Sequence, residues 1–400
     1  MTILRVAYKS LRQHAVSTCI TVLSIALAGG LLMSVWSVKD QAESAFTEMT
    51  GGFDAVLGAR SARLQLVLNA VFHLDSSPGN VAWEDFLEIQ KHPGVALALP
   101  IAMGDNYQGY RLVGTTTNLF TDVEYAPGKR YQLAAGRIFE MGYAEAVVGS
   151  FVAQRLGLKP GDDFHPFHGL IFDEKQEHAE EYKVVGVLEP SNTPADRVIW
   201  IPLEGIQNMT GHDEKAAHEI SAVLVKLKSP LTGRTLELAY NKEGQRLTFA
   251  WPIDQVVAQL FDKIGWFNRV LALVAYLVAI VAIASVLASI YNSMNERRRE
   301  IAILRALGAR RRTIFSSVVL EAGIIAALGM ILAFGFYAVI LSAVAKIVRT
   351  QTGVALEVWA AHPVLLIAPM AMILLSAAAG CVPAWKGYRV EVAENLSPVS

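Results

Sequence analysis

The sequence predicts an α-helical membrane protein with four transmembrane helices and an α+β extracytoplasmic domain between helices 1 and 2. Three observations lead to this fold class. Four long segments carry no charge, the basic residues are unevenly distributed, and about 200 residues of soluble-domain composition separate the first two charge-free segments. The 400 residues are 53% hydrophobic and only 18% charged, a balance typical of a membrane protein with a sizeable aqueous part.

Each charge-free segment is long enough to cross a bilayer as a helix. The segments cover residues 16–38, 270–291, 322–345 and 358–385, and about 20 helical residues span the hydrocarbon core. The first segment is longer than the apolar run of a signal peptide, which has about 7 to 15 residues. Its helical spacing also continues beyond Val38, so we interpret it as an uncleaved anchor, although Ala26 and Ala28 resemble a cleavage site.

The basic residues predict which parts of the chain lie in the cytoplasm. Seven arginines fall within NERRREIAILRALGARRR, residues 295–312, between the second and third spans. Further basic residues flank the first and last spans, at Arg5, Lys9, Arg12, Lys386 and Arg389. By contrast, residues 40–263 contain 30 acidic and 19 basic residues. The positive-inside rule therefore places both termini and residues 295–312 in the cytoplasm.

These patterns predict nine regions in chain order. They are an amphipathic cytoplasmic helix (1–15), the first span with a stalk (16–50), the extracytoplasmic domain (51–251), a stalk with the second span (252–291), a cytoplasmic helix (292–312), the third span (313–346), an external loop (347–357), the fourth span (358–385) and a cytoplasmic tail (386–400).

The extracytoplasmic domain is predicted to be α+β because strand-like and helical patterns alternate in it. Strand-like runs occupy residues 112–114, 146–149, 182–188, 198–203 and 222–227, and a helical pattern covers residues 83–91. An apolar run within residues 51–80 has two interpretations. We favour packing in the domain core over a groove that faces lipid or a partner.

The absence of several motifs excludes function classes. The sequence has no G-x-x-x-x-G-K-[ST] phosphate-binding loop, no H-E-x-x-H pair and no G-x-S-x-G elbow. We therefore expect neither ATPase nor hydrolase activity from this chain. Nucleic-acid binding is also disfavoured, because the basic run is tethered at both ends to membrane helices. The two cysteines, Cys19 and Cys381, fall within predicted spans and indicate no disulfide framework.

The arginine-rich stretch also predicts a short amphipathic helix. Ile301, Leu304 and Leu307 are expected on one side, arginines elsewhere, and Gly308 at the C-terminal end. Such a helix is suited to insert an apolar ridge into a groove of a cytoplasmic partner. The simpler alternative, that the arginines only fix topology, explains neither the apolar side nor the glycine.

The residues 296–309, ERRREIAILRALGA, resemble the cytoplasmic motif of the FtsX/MacB/LolC-type ABC transporter permeases. The four-span arrangement, the large domain between spans one and two, and a tail motif with Pro383, Ala384 and Arg389 are similar to the same family. Within the domain, GRIFE, AVVGSFVAQRLGLKPGD and KVVGVLEP resemble its periplasmic core domain; they begin at residues 136, 146 and 183.

The resemblance implies a non-enzymatic permease subunit of the bacterial inner membrane. It implies that a coupling helix docks on a separate cytoplasmic ATPase, which binds ATP and magnesium, and that a second permease protomer completes a dimer. The work done is then mechanotransmission, export, or extraction of a lipid or lipoprotein, with membrane lipids and an extracytoplasmic protein or lipoprotein as partners. The residues assigned to ATPase coupling are Glu296, Glu300, Ile301, Leu304, Arg305 and Gly308.

Two alternatives to this function remain open. One is transport of zinc or a metal chelate, since His165, His168 and His178 lie among acidic residues and predict a zinc site. The other is a membrane-anchored scaffold or sensor without an ATPase. In addition, Glu321 lies within the third hydrophobic helix, where a carboxylate is expected either to contact the coupling region or to form a hydrogen bond between helices.

Overall fold

The computed structural model describes residues 9–170, 172–210 and 218–388. Its contacts divide the chain into two compact units. The first unit comprises the chain up to Gln41, Gly265–Ala345 and the chain from Glu357 onward, and the second comprises Ala42–Ile264 and Lys346–Leu356.

The helices and strands are numbered in chain order. They are α1 (Ala15–Glu48), β1 (Ala55–Ala59), α2 (Arg63–Ala70), β2 (Val81–Ala82), α3 (Trp83–Lys91), β3 (Val95–Tyr107), β4 (Tyr110–Thr115), α4 (Asn118–Thr121), β5 (Glu124–Ala126), β6 (Lys129–Arg130), β7 (Leu133–Gly136), β8 (Glu145–Val148), α5 (Ser150–Leu156), β9 (Asp163–Phe164), β10 (Phe167–His168), β11 (Tyr182–Leu188), β12 (Ile199–Pro202), α6 (Leu203–Gln207), β13 (Glu219–Ile220), β14 (Ala222–Leu227), α7 (Pro230–Tyr240), β15 (Leu247–Ala250), α8 (Ile253–Glu296), α9 (Arg298–Ala306), α10 (Arg311–Thr352) and α11 (Val364–Tyr388).

Four of these helices, α1, α8, α10 and α11, are long and apolar enough to cross a membrane, which confirms the predicted number of spans. Two boundaries differ from the prediction. The predicted external loop 347–357 is partly helical, because α10 continues to Thr352 and ends only before Gly353, whose φ is 80°. The fourth helix begins at Val364, directly after Pro363, and not at residue 358. Proline suits the start of a helix because its missing N–H would have no partner there.

The chain ends also differ in part from the predicted regions. Within the predicted leader helix 1–15, residues 9–13 are helical and His14 forms a turn before α1, while residues 1–8 lie outside the described part. The predicted tail 386–400 begins as the end of α11, and its residues 389–400 also lie outside that part.

In the first unit, small residues bring the membrane helices into close contact. A side chain at Gly30 of α1 would lie 2.7 Å from the Cβ of Phe336, and one at Gly329 of α10 would lie 2.6 Å from Ile25. Gly380 of α11 packs against Ala322 of α10 with a corresponding distance of 2.7 Å. Because lipid tails are as apolar as leucine, membrane helices associate largely through such close packing. Helix α10 is therefore the central element of the unit.

The second unit is built on an 11-stranded mixed sheet, with the order β15-β1-β14-β3-β4-β12-β8-β11-β7 and with β10 and β9 paired to β3 and β11. Successive residues of a strand point to opposite faces. Leu57 of β1 accordingly packs with helices α3 and α7 on one face, whereas its neighbour Val56 packs with α2 on the other. The predicted α+β class is confirmed.

The apolar run within residues 51–80 lies inside this second unit. Leu66, Val67 and Ala70 of α2 are fully buried, and Phe72 is nearly so. They pack in the same core cluster as the strand residues Val56 and Leu224. The interpretation as core packing is therefore correct, and a lipid- or partner-facing groove is not formed by these side chains.

Candidate coupling site

Helix α9 is a separate short helix between two membrane helices. Arg297 interrupts the helical path after α8 with φ −97° and ψ 11°, and α9 then begins at Arg298. Glu300 lies in its first turn and Arg305 in its last turn. Acidic residues near the N-terminus and basic residues near the C-terminus each stabilise a helix through its dipole by about 0.3–1 kcal/mol. The charges of the stretch thus favour a helix at this position.

Gly308 ends the helix, as the sequence predicts. Its φ is 96°, a left-handed conformation that glycine adopts without strain. The N–H of Gly308 donates to the carbonyl of Arg305, and the N–H of Ala309 donates to that of Leu304, both at 3.0 Å. This pair of bonds is the Schellman pattern, which satisfies carbonyls that the helix end leaves open.

The apolar residues of α9 do not form one ridge, which differs from the prediction. Ile301 is 6% exposed and packs in the core of the first unit together with Ala302. Leu307 is 79% exposed, Ile303 is 44% exposed, and Leu304 is half-buried. Leu307 lies six positions after Ile301. Six steps of about 100° around an α-helix make about 600°, so the two side chains lie about 120° apart. Ile301 therefore anchors α9, and the surface available to a partner carries Ile303 and Leu307.

A buried polar cluster connects the start of α9 to helix α10. The Ser10 hydroxyl donates to Glu321 Oε1 at 2.5 Å, and Glu321 Oε2 lies 3.8 Å from the Arg297 guanidinium. Arg297 also donates to the Ser10 hydroxyl. Ser10 and Glu321 are both buried, and the Arg297 side chain is 13% exposed. Glu321 therefore contacts Arg297, within the predicted coupling region, and accepts a hydrogen bond from Ser10 in the N-terminal segment.

Two surface ion pairs extend the cluster. Glu296, the last residue of α8, places Oε2 3.2 Å from His14 Nδ1, and Glu300 places Oε2 3.3 Å from Arg297 Nε. Both glutamates are more than half exposed, and exposed pairs of this kind contribute about 0–1 kcal/mol. The predicted coupling residues Glu296 and Glu300 therefore surround the buried cluster without being part of its interior.

Basic side chains also connect the helix ends near α9. Lys386 of α11 lies 4.1 Å from the ring centre of Tyr291 on α8 and donates to its hydroxyl. Arg311, the first residue of α10, lies 5.4 Å from the ring centre of Tyr388. Cation–π contacts of this type contribute about 0.5–1 kcal/mol at exposed sites. Lys386 and Arg311 thus have structural contacts in addition to any role in topology.

Two protein families match the chain. The MacB-like periplasmic core domain matches residues 18–237, and the FtsX-like permease C-terminal region matches residues 272–392. The chain belongs to the MacB/FtsX family of ABC transporter permeases. This is the family that the 296–309 motif and the domain motifs resemble.

Curated relatives of this permease are macrolide export ATP-binding/permease proteins, MacB. The protein of Escherichia coli O6:K15:H31 is 22% identical over an alignment of 370 residues. The match covers 82% of this chain and 50% of that protein. The protein of Campylobacter jejuni is 28% identical over 188 residues, or 42% of this chain and 29% of that protein. This permease thus spans half or less of the length of these relatives.

Solved structures similar to this permease are of extracytoplasmic regions. The periplasmic region of MacB from Actinobacillus actinomycetemcomitans is 12% identical with a TM-score of 0.36, covering 54% of this chain and 94% of that one. The extracellular domain of the noncanonic ABC-type transporter YknZ from Gram-positive bacteria is 16% identical with a TM-score of 0.30. The match covers 49% of this chain and 98% of that one.

The three histidines predicted to bind zinc lie in the second unit of the permease, and only two of them come together. His168 and His178 lie beside Asp105, while the Nδ1 of His165 faces the carbonyl of Glu180 at 3.1 Å. In nearly extended chain, residues three apart point to opposite sides. The structure thus groups Asp105, His168 and His178, whereas the predicted zinc set was His165, His168 and His178.

The sequence interpretation missed three residues of these clusters: Ser10, Arg297 and Asp105. Arg297 was visible only as one of seven arginines. Asp105 is the one charged residue of β3, a long and largely apolar strand. A charged residue in such a strand is rare unless the charge has partners, and this feature could have singled out Asp105.

Proposed function

We propose that this permease is one subunit of a bacterial ABC transporter and that a separate cytoplasmic ATPase, which binds ATP and magnesium, docks on α9. The macrolide exporters to which this permease is similar are each named as an ATP-binding/permease protein. The present chain has no phosphate-binding loop. We infer that the docked ATPase supplies ATP hydrolysis.

The observation that carries this proposal is the division of α9 into an anchored side and an exposed side. Ile301 and Ala302 fix the helix in the core of the first unit, while Ile303 and Leu307 remain exposed. An exposed leucine beside arginines matches the anatomy of a protein interface, in which an apolar centre is surrounded by charged residues. A helix that only carried topogenic charge would need no such apolar surface.

Movement of α9 would reach the membrane helices through the buried cluster. Arg297 is the residue that joins α8 to α9, and its guanidinium contacts both Ser10 and Glu321. Because a buried charge is costly without its partner, displacing Arg297 alone is unfavourable. Displacement of α9 by a docked ATPase is therefore expected to move α10 and the N-terminal segment together with it.

The remaining elements of the proposal concern orientation, assembly and the work done. The positive-inside rule supports cytoplasmic termini, with the acidic residues 40–263 largely outside. Helix α1 exposes an apolar stripe of Val16, Ile20, Leu23 and Leu27, which suits contact with lipids or with a second protomer of a homodimer. We propose mechanotransmission, export or lipoprotein extraction as the work, with an extracytoplasmic protein or lipoprotein as partner.

The proposal is tested by placing a charge on the exposed side of α9. Leu307→Asp puts a carboxylate into the docking surface and is expected to weaken ATPase binding at least about tenfold, since burying an unpaired charge costs several kcal/mol and 1.4 kcal/mol is a factor of ten. Leu304→Asp is expected to act in the same direction. The measurement is the amount of ATPase that co-purifies with the permease and the ATP hydrolysis it stimulates in reconstituted membranes.

A matched control comes from the second unit. Leu231 of α7 is 76% exposed, nearly as much as Leu307, so Leu231→Asp makes the same chemical change on a surface remote in sequence from α9. This control should retain full ATPase binding. Equal ATPase binding by the Leu307→Asp variant, with normal membrane insertion, would leave only a topological role for the arginine-rich stretch. If the unaltered permease co-purifies with no ATPase, a scaffold or sensor becomes the better interpretation.

A further inference from the structure

We propose that Asp105, His168 and His178 form a binding site for a divalent transition metal ion, with zinc as the expected occupant. The site lies in the second unit and does not depend on the proposed ATPase partner. One ligand atom from each of the three side chains lies within 4.8 Å of the other two. The Oδ1 of Asp105 lies 3.3 Å from His168 Nδ1 and 3.1 Å from His178 Nε2.

These separations fit tetrahedral coordination. With zinc–ligand bonds of about 2.0–2.1 Å, two ligand atoms of a tetrahedron are about 3.3 Å apart. Both Asp105–histidine distances are close to that value. The third separation, between the two histidine nitrogens, is at most 4.8 Å. The His168 side chain is half-exposed, so it is the ligand with room to rotate.

The backbone holds Asp105 and His168 opposite one another. Strand β10 pairs antiparallel with β3 in a register that places His168 across from Asp105 and Phe167 across from Asn106. The Asn106 amide donates to the carbonyl of Gly169 at 2.9 Å and thereby fixes the chain just after β10. Two of the three ligands are thus positioned by sheet geometry and not by flexible side chains alone.

A second set of contacts places His178. Its backbone N–H donates to the carbonyl of Pro166 at 2.8 Å, and its neighbour Glu177 forms a β-bridge with Phe167. The ring of His178 consequently lies 5.5 Å from that of His168, at an angle of 78°. The chain between the two histidines therefore folds back so that both rings converge on Asp105.

Both ring nitrogens of His178 face hydrogen-bond acceptors. Nδ1 lies 2.8 Å from the carbonyl oxygen of Thr210, and Nε2 lies 3.1 Å from Asp105 Oδ1. A neutral imidazole has one N–H, and the carbonyl of Thr210 can only accept. When Nδ1 donates to Thr210, the lone pair of Nε2 is directed toward Asp105 Oδ1. In this tautomer Nε2 and Oδ1 can both bind one metal ion.

The same contact matches the outer shell of known metal sites. Metal-binding histidines almost always donate their other ring N–H to a carbonyl or carboxylate, which fixes the tautomer and the ring orientation. Thr210 is itself held by Glu180, whose carboxylate accepts from its N–H at 2.7 Å and from its hydroxyl at 2.9 Å. His178 is thus oriented through Thr210 by a carboxylate outside the ligand set.

The donor set favours a particular class of ion. Two imidazole nitrogens and one carboxylate suit zinc and its first-row neighbours, whereas magnesium and calcium prefer oxygen ligands alone. Asp105 is fully buried, while the His168 side chain is 50% exposed. Solvent therefore reaches the cluster on the His168 side. The three ligands found among the described residues occupy three of the four positions of a tetrahedral zinc site.

The test is zinc binding by the full chain, purified in detergent and stripped of metal with a chelator. Calorimetry with Zn²⁺ should show one ion per chain, and Co²⁺ should give the visible absorption of a tetrahedral site. His168→Ala removes an exposed ligand and should weaken Zn²⁺ binding at least about tenfold, as even outer-shell substitutions cost about 10- to 100-fold. His165→Ala, three residues away in the same segment, should bind as tightly as the unaltered chain.

Three results would overturn the proposal. These are no Zn²⁺ binding by the unaltered chain, equal loss in the His165→Ala and His168→Ala variants, or displacement of Zn²⁺ by millimolar Mg²⁺. Because replacing the buried Asp105 risks unfolding, the exposed His168 is the decisive position. Circular dichroism of the His168→Ala variant confirms that its loss of binding is not a loss of fold.

Discussion

Arg297 and Glu321 form a buried ion pair at 3.8 Å that joins the start of the short helix α9 to the long helix α10. Ser10 lies between them and is hydrogen-bonded to both. Three segments that are distant in the sequence thus converge on one polar cluster within an otherwise apolar unit. Such a cluster resists displacement of any single member, because the charges that remain would be left buried and without compensation.

The first prediction concerns the stability of the first unit. Glu321→Ala leaves the Arg297 guanidinium without its buried partner and is expected to destabilise the unit by about 3–5 kcal/mol. Glu300→Ala removes the exposed partner of the same arginine and is expected to cost about 0–1 kcal/mol. The measurement is the midpoint of thermal unfolding of the purified permease in detergent, followed by tryptophan fluorescence.

A double variant separates the ion pair from general packing. When Arg297→Met is combined with Glu321→Ala, neither charge is left buried, so the double variant should be less destabilised than the sum of the two single variants. Strict additivity would show that the two side chains do not interact. A loss in Glu300→Ala as large as that in Glu321→Ala would show that burial does not determine the effect.

The sequence predicted those features that depend on local pattern. Hydropathy summed over about 20 residues identified four spans, and the amphipathic spacing together with Gly308 identified α9. The positions of individual side chains were less predictable. The sequence interpretation assigned Ile301 and Leu307 to one apolar side, but they lie about 120° apart on the helix, and the packing of the first unit buries Ile301 and leaves Leu307 exposed.

Contacts between distant segments were beyond the sequence interpretation. The partner of His168 is Asp105, because β10 pairs with β3 in one particular register. A shift of that register by one residue would point the opposite side chain to the other face of the sheet. The sequence proximity of His165 to His168 therefore did not indicate the grouping of His168 with Asp105. Ser10 was missed for the same reason, since nothing in its neighbourhood indicates a contact with α10.

The second prediction concerns orientation in the membrane. The arginine asymmetry places residue 130 outside and residue 312 in the cytoplasm. Single cysteines are introduced at Arg130 or Arg312 in a background in which Cys19 and Cys381 are replaced by serine. A membrane-impermeant thiol reagent added to intact spheroplasts is expected to label the cysteine at position 130, and that at position 312 only after the membrane is disrupted. The opposite order of labelling would refute the predicted topology.

The third prediction concerns acid sensitivity and follows from His73 in the second unit. Burial, together with the charge of Arg111, lowers the pKa of His73 to about 3 from its usual 6.5. The imidazole Nδ1 is buried, and the ring lies 5.6 Å from that of Trp200. The folded chain therefore keeps this histidine neutral at a pH at which the unfolded chain takes up a proton.

The sign of the effect follows from proton linkage. Between pH 6.5 and about 3 the unfolded chain binds one more proton than the folded chain at His73, so the free energy of unfolding falls as the pH is lowered through this window. The slope from a single group is at most about 1.4 kcal/mol per pH unit. Above pH 6.5 both states hold the neutral ring and His73 contributes no pH dependence.

His73→Asn is the variant that isolates this contribution. Asparagine does not titrate, and it tolerates the left-handed backbone of this position, where φ is 54°. The measurement is hydrogen exchange of the α2 amides at pH 7.0 and 5.5, corrected for the intrinsic pH dependence of exchange. The unaltered chain should lose more protection on acidification than the variant, by up to about 1.4 kcal/mol per pH unit below pH 6.5. If both proteins lose the same protection, His73 is protonated in the folded state and its burial does not control acid sensitivity.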